Sequence, residues 1–310
     1  MANPTLSQAW VTKVTSTAAD DVIASGVGLL PLPSEYDVAA VVRKAASKAT
    51  LREIARRKWF SVPKHSDPQS WGDALVSFLF PQAHIRPALA TAALFRHSPR
   101  QRDLVEDLAT MAWLCRVTDK AEHSDVPHFD RAKLTPEALR HLVRLSTKND
   151  GPQRALSYLE TLGIRSVIES ALPGMRLDGA SFFAKGLGPV LGLTLRFDRL
   201  DSFWFTLMHE VAHIALHLDA ATTTVFVDSL EEEDRSTSEL EAEADAFAKD
   251  AFVPRDAWYR SEAYRLGTES AVHDLAEAHH IHAAIVAGRL RYERVGYRAL
   301  THLVGEGQVR

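Results

Sequence analysis

Cysteine is nearly absent: the 310 residues include one, Cys115. That excludes an intrachain disulfide and a zinc site built from thiolates. The neighbours Met111-Ala112-Trp113-Leu114 read as the buried face of a helix, so Cys115 is expected to be a small core residue. A chain without disulfides fits a reducing compartment, and a cytoplasmic location is expected. Long apolar runs are missing too. No segment approaches the ~18 residues that a membrane span needs. The start, Met1-Ala2-Asn3-Pro4, lacks the charged region of a signal peptide, so no membrane partner is expected. Nor is there a basic excess: 36 Lys and Arg face 40 Asp and Glu, for a formal net charge of −4. This excludes a protein that binds nucleic acid over its whole surface, and leaves DNA binding as a local option that is not favoured. Repeats and low-complexity tracts are absent.

What remains is ordinary globular composition, 46% hydrophobic and 25% charged, in a chain long enough for two domains. Residues 1–35 read as an irregular lead-in. From 36 to about 150 the periodicity is helical. Amphipathic stretches open at Asp37, after a cap at Thr50, over 71–80 and over 104–117. Thr135-Pro136-Glu137 is a helix start, with Thr135 as N-cap and proline at the first helical position. Beyond 150 the pattern changes. A helix over 154–162 ends at Gly163. Strands are expected over 164–169, 189–195 and 225–227. A helix capped by Asp201 or Ser202 should run to about 218, and another from about 237 to 252, stopped by Pro254. Two more should follow, over 270–278 and 283–293. The fold class is α+β, mostly α, with a small sheet in the part over 151–310, preceded by a helical domain over 36–150.

One motif carries chemistry. His209-Glu210-Val211-Ala212-His213 has the form H-E-x-x-H. Residues i and i+4 share a helix face, so both imidazoles can reach one ion. Neutral imidazole suits zinc, and Glu210 beside them suits a general base for a zinc-bound water. The surrounding helix, Phe203-Trp204-Phe205-Thr206-Leu207-Met208 before the motif and Ile214-Ala215-Leu216 after it, is apolar on nearly every side and should be buried. Polar groups inside such a helix need partners, and a metal is one. A catalytic zinc usually has three protein ligands. The segment 239–248 offers the third. Leu240, Ala244, Phe247 and Ala251 form its apolar stripe, and Glu241 and Asp245 share one flank. Glu243 falls on the other flank, beside Glu239, where solvent is expected. Glu241 is therefore the preferred ligand, and Asp245 a candidate acceptor for the free N–H of a ligand histidine. Residues 228–245 carry nine acids against one base, and Glu231-Glu232-Glu233-Asp234 reads as an exposed loop. His217 continues the helix face after His213, but one straight helix does not wrap three turns around one ion. It reads as a helix-terminal residue near the cleft. His217, Tyr259 and Tyr264 are candidates for stabilising an oxyanion.

His209-Glu210-Val211-Ala212-His213, with Glu241-Ala242-Glu243-Ala244-Asp245-Ala246-Phe247-Ala248 and the run Asp250-Ala251-Phe252-Val253-Pro254, resembles the ImmA/IrrE metallopeptidases. Residues 192–206 and 281–290 also resemble members fused to antitoxin-like repressors, and the likeness covers about 150–300. The resemblance implies a zincin-like fold of gluzincin type, Zn2+ as cofactor, His209, His213 and Glu241 as ligands, and Glu210 as base. It also implies a substrate, a helix-turn-helix repressor, and a role in stress responses or in phage and mobile-element regulation. The chain departs from the fused members in showing no convincing helix-turn-helix in residues 1–60. Residues 272–290 have the outline of one, with a basic end of Arg289, Arg291 and Arg294, but a helical pair packed on the peptidase core is expected there. His273, His279, His280 and His282 read as surface histidines. A different class remains open: a transcriptional regulator or antitoxin-type binding protein whose metal centre is structural or inactive. The intact Glu210 argues against it, because a structural site does not need that carboxylate.

Overall fold

A computed structural model describes residues 48–60, 74–75, 77–79, 104–184, 186–218, 225–228, 239–296 and 298–309. The expected lead-in over 1–35, the stretch opening at Asp37 and the acidic loop over 231–234 lie outside these residues.

The centre is helix α5, Leu200–Leu216, in which every residue but Phe205 is buried. Its apolar circumference dictates that position: a helix without a polar face is stable only when covered all round. One side is covered by a four-stranded sheet of β1 (Arg165–Ile168), β2 (Gly179–Ala184), β3 (Gly188–Leu193) and β4 (Val225–Asp228), in the order β1-β3-β2-β4. The β1–β3 pair is parallel, and β2 runs antiparallel to β3 and β4. Alternation along the strands separates two cores. Leu191, Leu193 and Phe226 face α5 and its neighbours. Val167, Ala180, Phe182, Val190 and Val225 face the other way. That second face is covered by α2 (Leu104–Glu122), whose Trp113 is fully buried against the strand position held by Gly192. Trp113 Nε1 donates to the Glu169 carbonyl at 2.7 Å, which keeps the indole N–H satisfied. Cys115 on the same helix is buried, as its neighbours predict. Helix α1, Lys48–Arg56, adds Leu51 and Ile54 to this layer.

The remaining helices wrap α5. They are α3 (Pro136–Arg144), α4 (Gly151–Thr161), α6 (Glu239–Phe252), α7 (Arg255–Arg260), α8 (Glu262–Leu266), α9 (Glu269–His279) and α10 (Ala283–Leu290). Thr135 caps α3 as expected, its side chain accepting from Ala138 N, with Pro136 in the first turn. The mostly helical fold with a small mixed sheet matches the expected class.

Several local expectations need correction. Thr50 lies inside α1 rather than capping it. The cap position of α5 is Arg199, not Asp201 or Ser202. Asp201 sits in the first turn, where Arg199 binds it at 2.9 Å and Arg291 approaches to 3.7 Å. Burial pushes its carboxyl up, opposed by these guanidinium groups. Packing imposes this: α10 crosses there so closely that a Cβ on Gly288 would meet Asp201 Cβ at 2.6 Å. Strand β2 and the short helices α7 and α8 were not anticipated.

The pair α9–α10 does form the outline of a helix-turn-helix, with His280 in the left-handed region at φ 55°. Its second helix is not free to enter a groove. Ala284, Ile285, Val286, Ala287 and Leu290 are buried in the core around α5. The packed helical pair is the arrangement found. His279 and His282 are half-buried rather than surface histidines. Burial lowers both pKa values, helped by His280 and His273 respectively.

Candidate metal centre

Helix α5 presents His209 and His213 one turn apart on the side facing α6, both with zero exposure. Helix α6 packs along α5 through Ala244, Phe247, Ala248 and Ala251. Small residues at 244, 248 and 251 bring the two backbones close, so the short carboxylate side chains in the first turns of α6 reach α5. His209 Nε2 lies 3.0 Å from His213 Nε2 and 3.1 Å from Glu241 Oε2, and His213 Nε2 lies 3.4 Å from the same oxygen. His209 Nδ1 lies 3.0 Å from Asp245 Oδ1. The four residues chosen from the sequence are thus brought together from two helices.

The donor set fits a small cation. A ring N–H must be the donor to Asp245, because a carboxylate only accepts. The proton of a neutral His209 is therefore on Nδ1, and its Nε2 lone pair faces a second imidazole nitrogen and a carboxylate oxygen. Three acceptor atoms at 3.0–3.4 Å from one another repel unless a positive charge lies between them. Ligand atoms held tetrahedrally at the usual zinc bond length of about 2.0–2.1 Å stand ~3.3 Å apart, which matches this triangle. Among the described residues this is the cluster of three or more histidines and acids with metal-ligand proximity.

Glu210, on the flank of α5 next to these histidines, faces the first residue of β2 and is fully buried. It lies beneath the first residue of β2: a Cβ on Gly179 would stand 2.7 Å from Glu210 Oε1. Gly179 is the residue that makes room for this carboxylate, and β2 is held there by pairing to Leu193 on one side and Asp228 on the other. Strand β4 closes the site next to His213. Phe226 stacks on that ring with centroids 4.0 Å apart and planes 14° from parallel. The end of α5 is fixed by Arg131, which donates to the carbonyls of Ala215 and Leu218, a cation at a helix C-terminus.

Two residues enter that the sequence did not assign. Phe226 belongs to an expected strand, but alternation alone does not tell which strand covers the site. Glu243 was placed on a solvent-facing flank. Instead its Oε2 accepts from His217 Nε2 at 2.9 Å, and its side chain is 22% exposed. The stripe is the reason. Leu240 is exposed and the packed face is centred on Ala244 and Phe247, so Glu243, four residues before Phe247, borders it. His217 is the C-cap of α5, as its helix-terminal reading has it, and its Nδ1 lies 2.9 Å from His213 Nδ1. Tyr259 and Tyr264 stack edge-on at 5.0 Å, and Tyr264 also packs on Trp258.

A small mixed sheet is thus laid over a buried helix whose histidines, one turn apart, face a carboxylate on a second helix. Residues 159–291 match the Peptidase_M78 family model, described as the IrrE N-terminal-like domain, in agreement with the likeness to the ImmA/IrrE peptidases. No curated protein and no solved structure matches the chain. Among the described residues no helix is long and apolar enough to cross a membrane.

Proposed function

We propose that the chain is a zinc-dependent endopeptidase acting on a regulatory protein of the helix-turn-helix repressor type. The observation that carries the catalytic part is the meeting of His209, His213 and Glu241 within 3.4 Å, in a domain of a peptidase family. His209, His213 and Glu241 would hold the ion, and Asp245 keeps the His209 ring in the ligating tautomer. When bound, zinc supplies a Lewis acid that polarises the scissile carbonyl and makes water acidic. Glu210 takes a proton from the water that adds to the carbonyl carbon. It returns that proton to the amine nitrogen as the C–N bond breaks. Its burial beneath Gly179 keeps bulk solvent from competing for the carboxylate. The repressor-type substrate, the cytoplasmic setting and the role in stress or mobile-element regulation rest on the likeness to ImmA/IrrE proteins. The division near residue 150 belongs to the same proposal, with α1 and α2 before it backing the sheet and the site after it.

The test is co-expression of the full chain with the helix-turn-helix repressor encoded nearest to its gene, beside the Glu210→Gln variant. Cleavage by the wild type and not by Glu210→Gln is expected. An intact repressor with both would refute the substrate, and equal cleavage by both would refute the role of Glu210.

A further inference from the structure

We infer that His217 and Glu243 are a positioning pair that holds the His213 ring in the one orientation and tautomer able to ligate a metal. The inference rests on the metal-centre reading above and deepens it. It follows from counting donors and acceptors along the chain of contacts. Glu243 Oε2 lies 2.9 Å from His217 Nε2. A carboxylate only accepts, so the proton of that contact is on His217 Nε2. In a neutral ring this leaves His217 Nδ1 as a bare lone pair. That lone pair faces His213 Nδ1 at 2.9 Å. The proton between them therefore belongs to His213, and His213 Nε2 is left with its lone pair turned toward His209 Nε2 and Glu241. A carboxylate on one helix sets the tautomer of a histidine on another, through an intervening ring.

The two histidines of the site are thus anchored differently. His209 gives its Nδ1 proton directly to Asp245, whereas His213 reaches its carboxylate through His217. All three carboxylates, Glu241, Glu243 and Asp245, come from the first two turns of α6. One helix supplies a ligand and both outer anchors, so the docking of α6 on α5 sets the whole arrangement at once. The pair is also shielded. The His217 side chain is 5% exposed, and Phe226 lies 4.0 Å from the His213 ring and 5.6 Å from the His217 ring, which keeps water from replacing either contact. The backbone of His217 is fixed as well, its N–H donating to the His213 carbonyl at 2.9 Å. Both ring nitrogens of His217 are engaged away from the three-atom cluster, which is why it is a support and not a fourth ligand.

The test is zinc affinity of the full chain, measured by competition with a chromophoric chelator, for wild type, His217→Phe, Glu243→Ala and the double variant. Phenylalanine keeps a ring against Phe226 but offers no acceptor. Loss of an outer-shell partner weakens metal binding by about 10–100-fold, and that loss is expected for His217→Phe. Because Glu243 acts through His217, the double variant should bind no more weakly than His217→Phe alone. His217→Gln, which keeps an acceptor, should recover part of the loss. Melting of the metal-free proteins identifies any variant that fails to fold, and Glu243→Ala carries the test if His217→Phe is one. Unchanged affinity in a folded variant, or losses that simply add, would overturn the inference while leaving the metal centre standing. A wild-type chain that takes up no zinc would overturn both.

Discussion

Replacing Gly179 with alanine tests where Glu210 sits. The added Cβ would lie 2.7 Å from Glu210 Oε1, 2.7 Å from Thr206 Cγ2 and 3.0 Å from Glu210 Cγ. Comfortable contacts are about 3.5–4.0 Å, so two atoms overlap by roughly 1 Å. The strand cannot back away, because Gly179 is paired with both Leu193 and Asp228, and α5 cannot retreat, because its far side is buried against α6 and α10. Overpacking of this kind costs about 1–3 kcal/mol. Removing a strand glycine works the other way, by about 0.5–1 kcal/mol. The central values leave a loss of about 1 kcal/mol, or a melting temperature lower by about 2–4 °C for a domain of this size. Two of the three short contacts are to Glu210. The loss should therefore shrink, with a coupling of at least about 0.5 kcal/mol, when Gly179→Ala is placed in a Glu210→Ala background. Thr206 remains, so relief is partial. Urea unfolding of the four metal-free proteins measures the cycle. A Gly179→Ala protein as stable as wild type, or an identical loss in both backgrounds, would mean that the carboxylate is not beneath residue 179.

Stability should fall in mild acid through the α9–α10 corner. Burial lowers the pKa of His279 and His282 in the folded chain. Below about pH 6.5, the unperturbed value, the unfolded state therefore binds protons that the folded state refuses, and stability is lost as pH drops. His282 Nδ1 also accepts from Ala284 N at 3.1 Å, and protonation removes that cap. Urea midpoints of the metal-free protein at pH 7.5 and 5.5 should differ less for His282→Asn, which keeps a capping oxygen; equal differences would contradict this. Trp113→Ala should cost about 3–5 kcal/mol, because it empties a fully buried site between α2 and the sheet and takes the indole donor from the Glu169 carbonyl; a midpoint within error of wild type would refute the packing of α2 on β3.

How much was legible in the sequence follows from how local each feature is. His209 and His213 were legible because their geometry is that of one helix turn, and the apolar circumference of α5 already required burial. Glu241 and Asp245 were legible because they border the stripe of an amphipathic helix. Glu243 was not, because its partner His217 lies on another helix and the stripe was read one position too early, through Leu240, which is exposed. Strand β2 was hidden by its composition. Gly179-Ala180-Ser181 carries no β-branched residue, and at Gly179 the strand leaves room for Thr206 and Glu210 rather than filling space. Helices α7 and α8 have six and five residues, too short for a periodic signal. Their ends were still marked, by Pro254 before the first and by Ser261 and Gly267 around the second, the latter in the left-handed region at φ 68°. The cap of α5 was misplaced because Asp201 is used for a tertiary contact with Arg199 and Arg291, which local capping rules do not see.

The most direct test of the central claim is the metal content of the purified full chain after incubation with zinc and removal of the excess. The account predicts one zinc per chain for the wild type and for Glu210→Gln, and none for the His209→Ala/His213→Ala double variant. A wild type without zinc, or a double variant that still holds one, would contradict it.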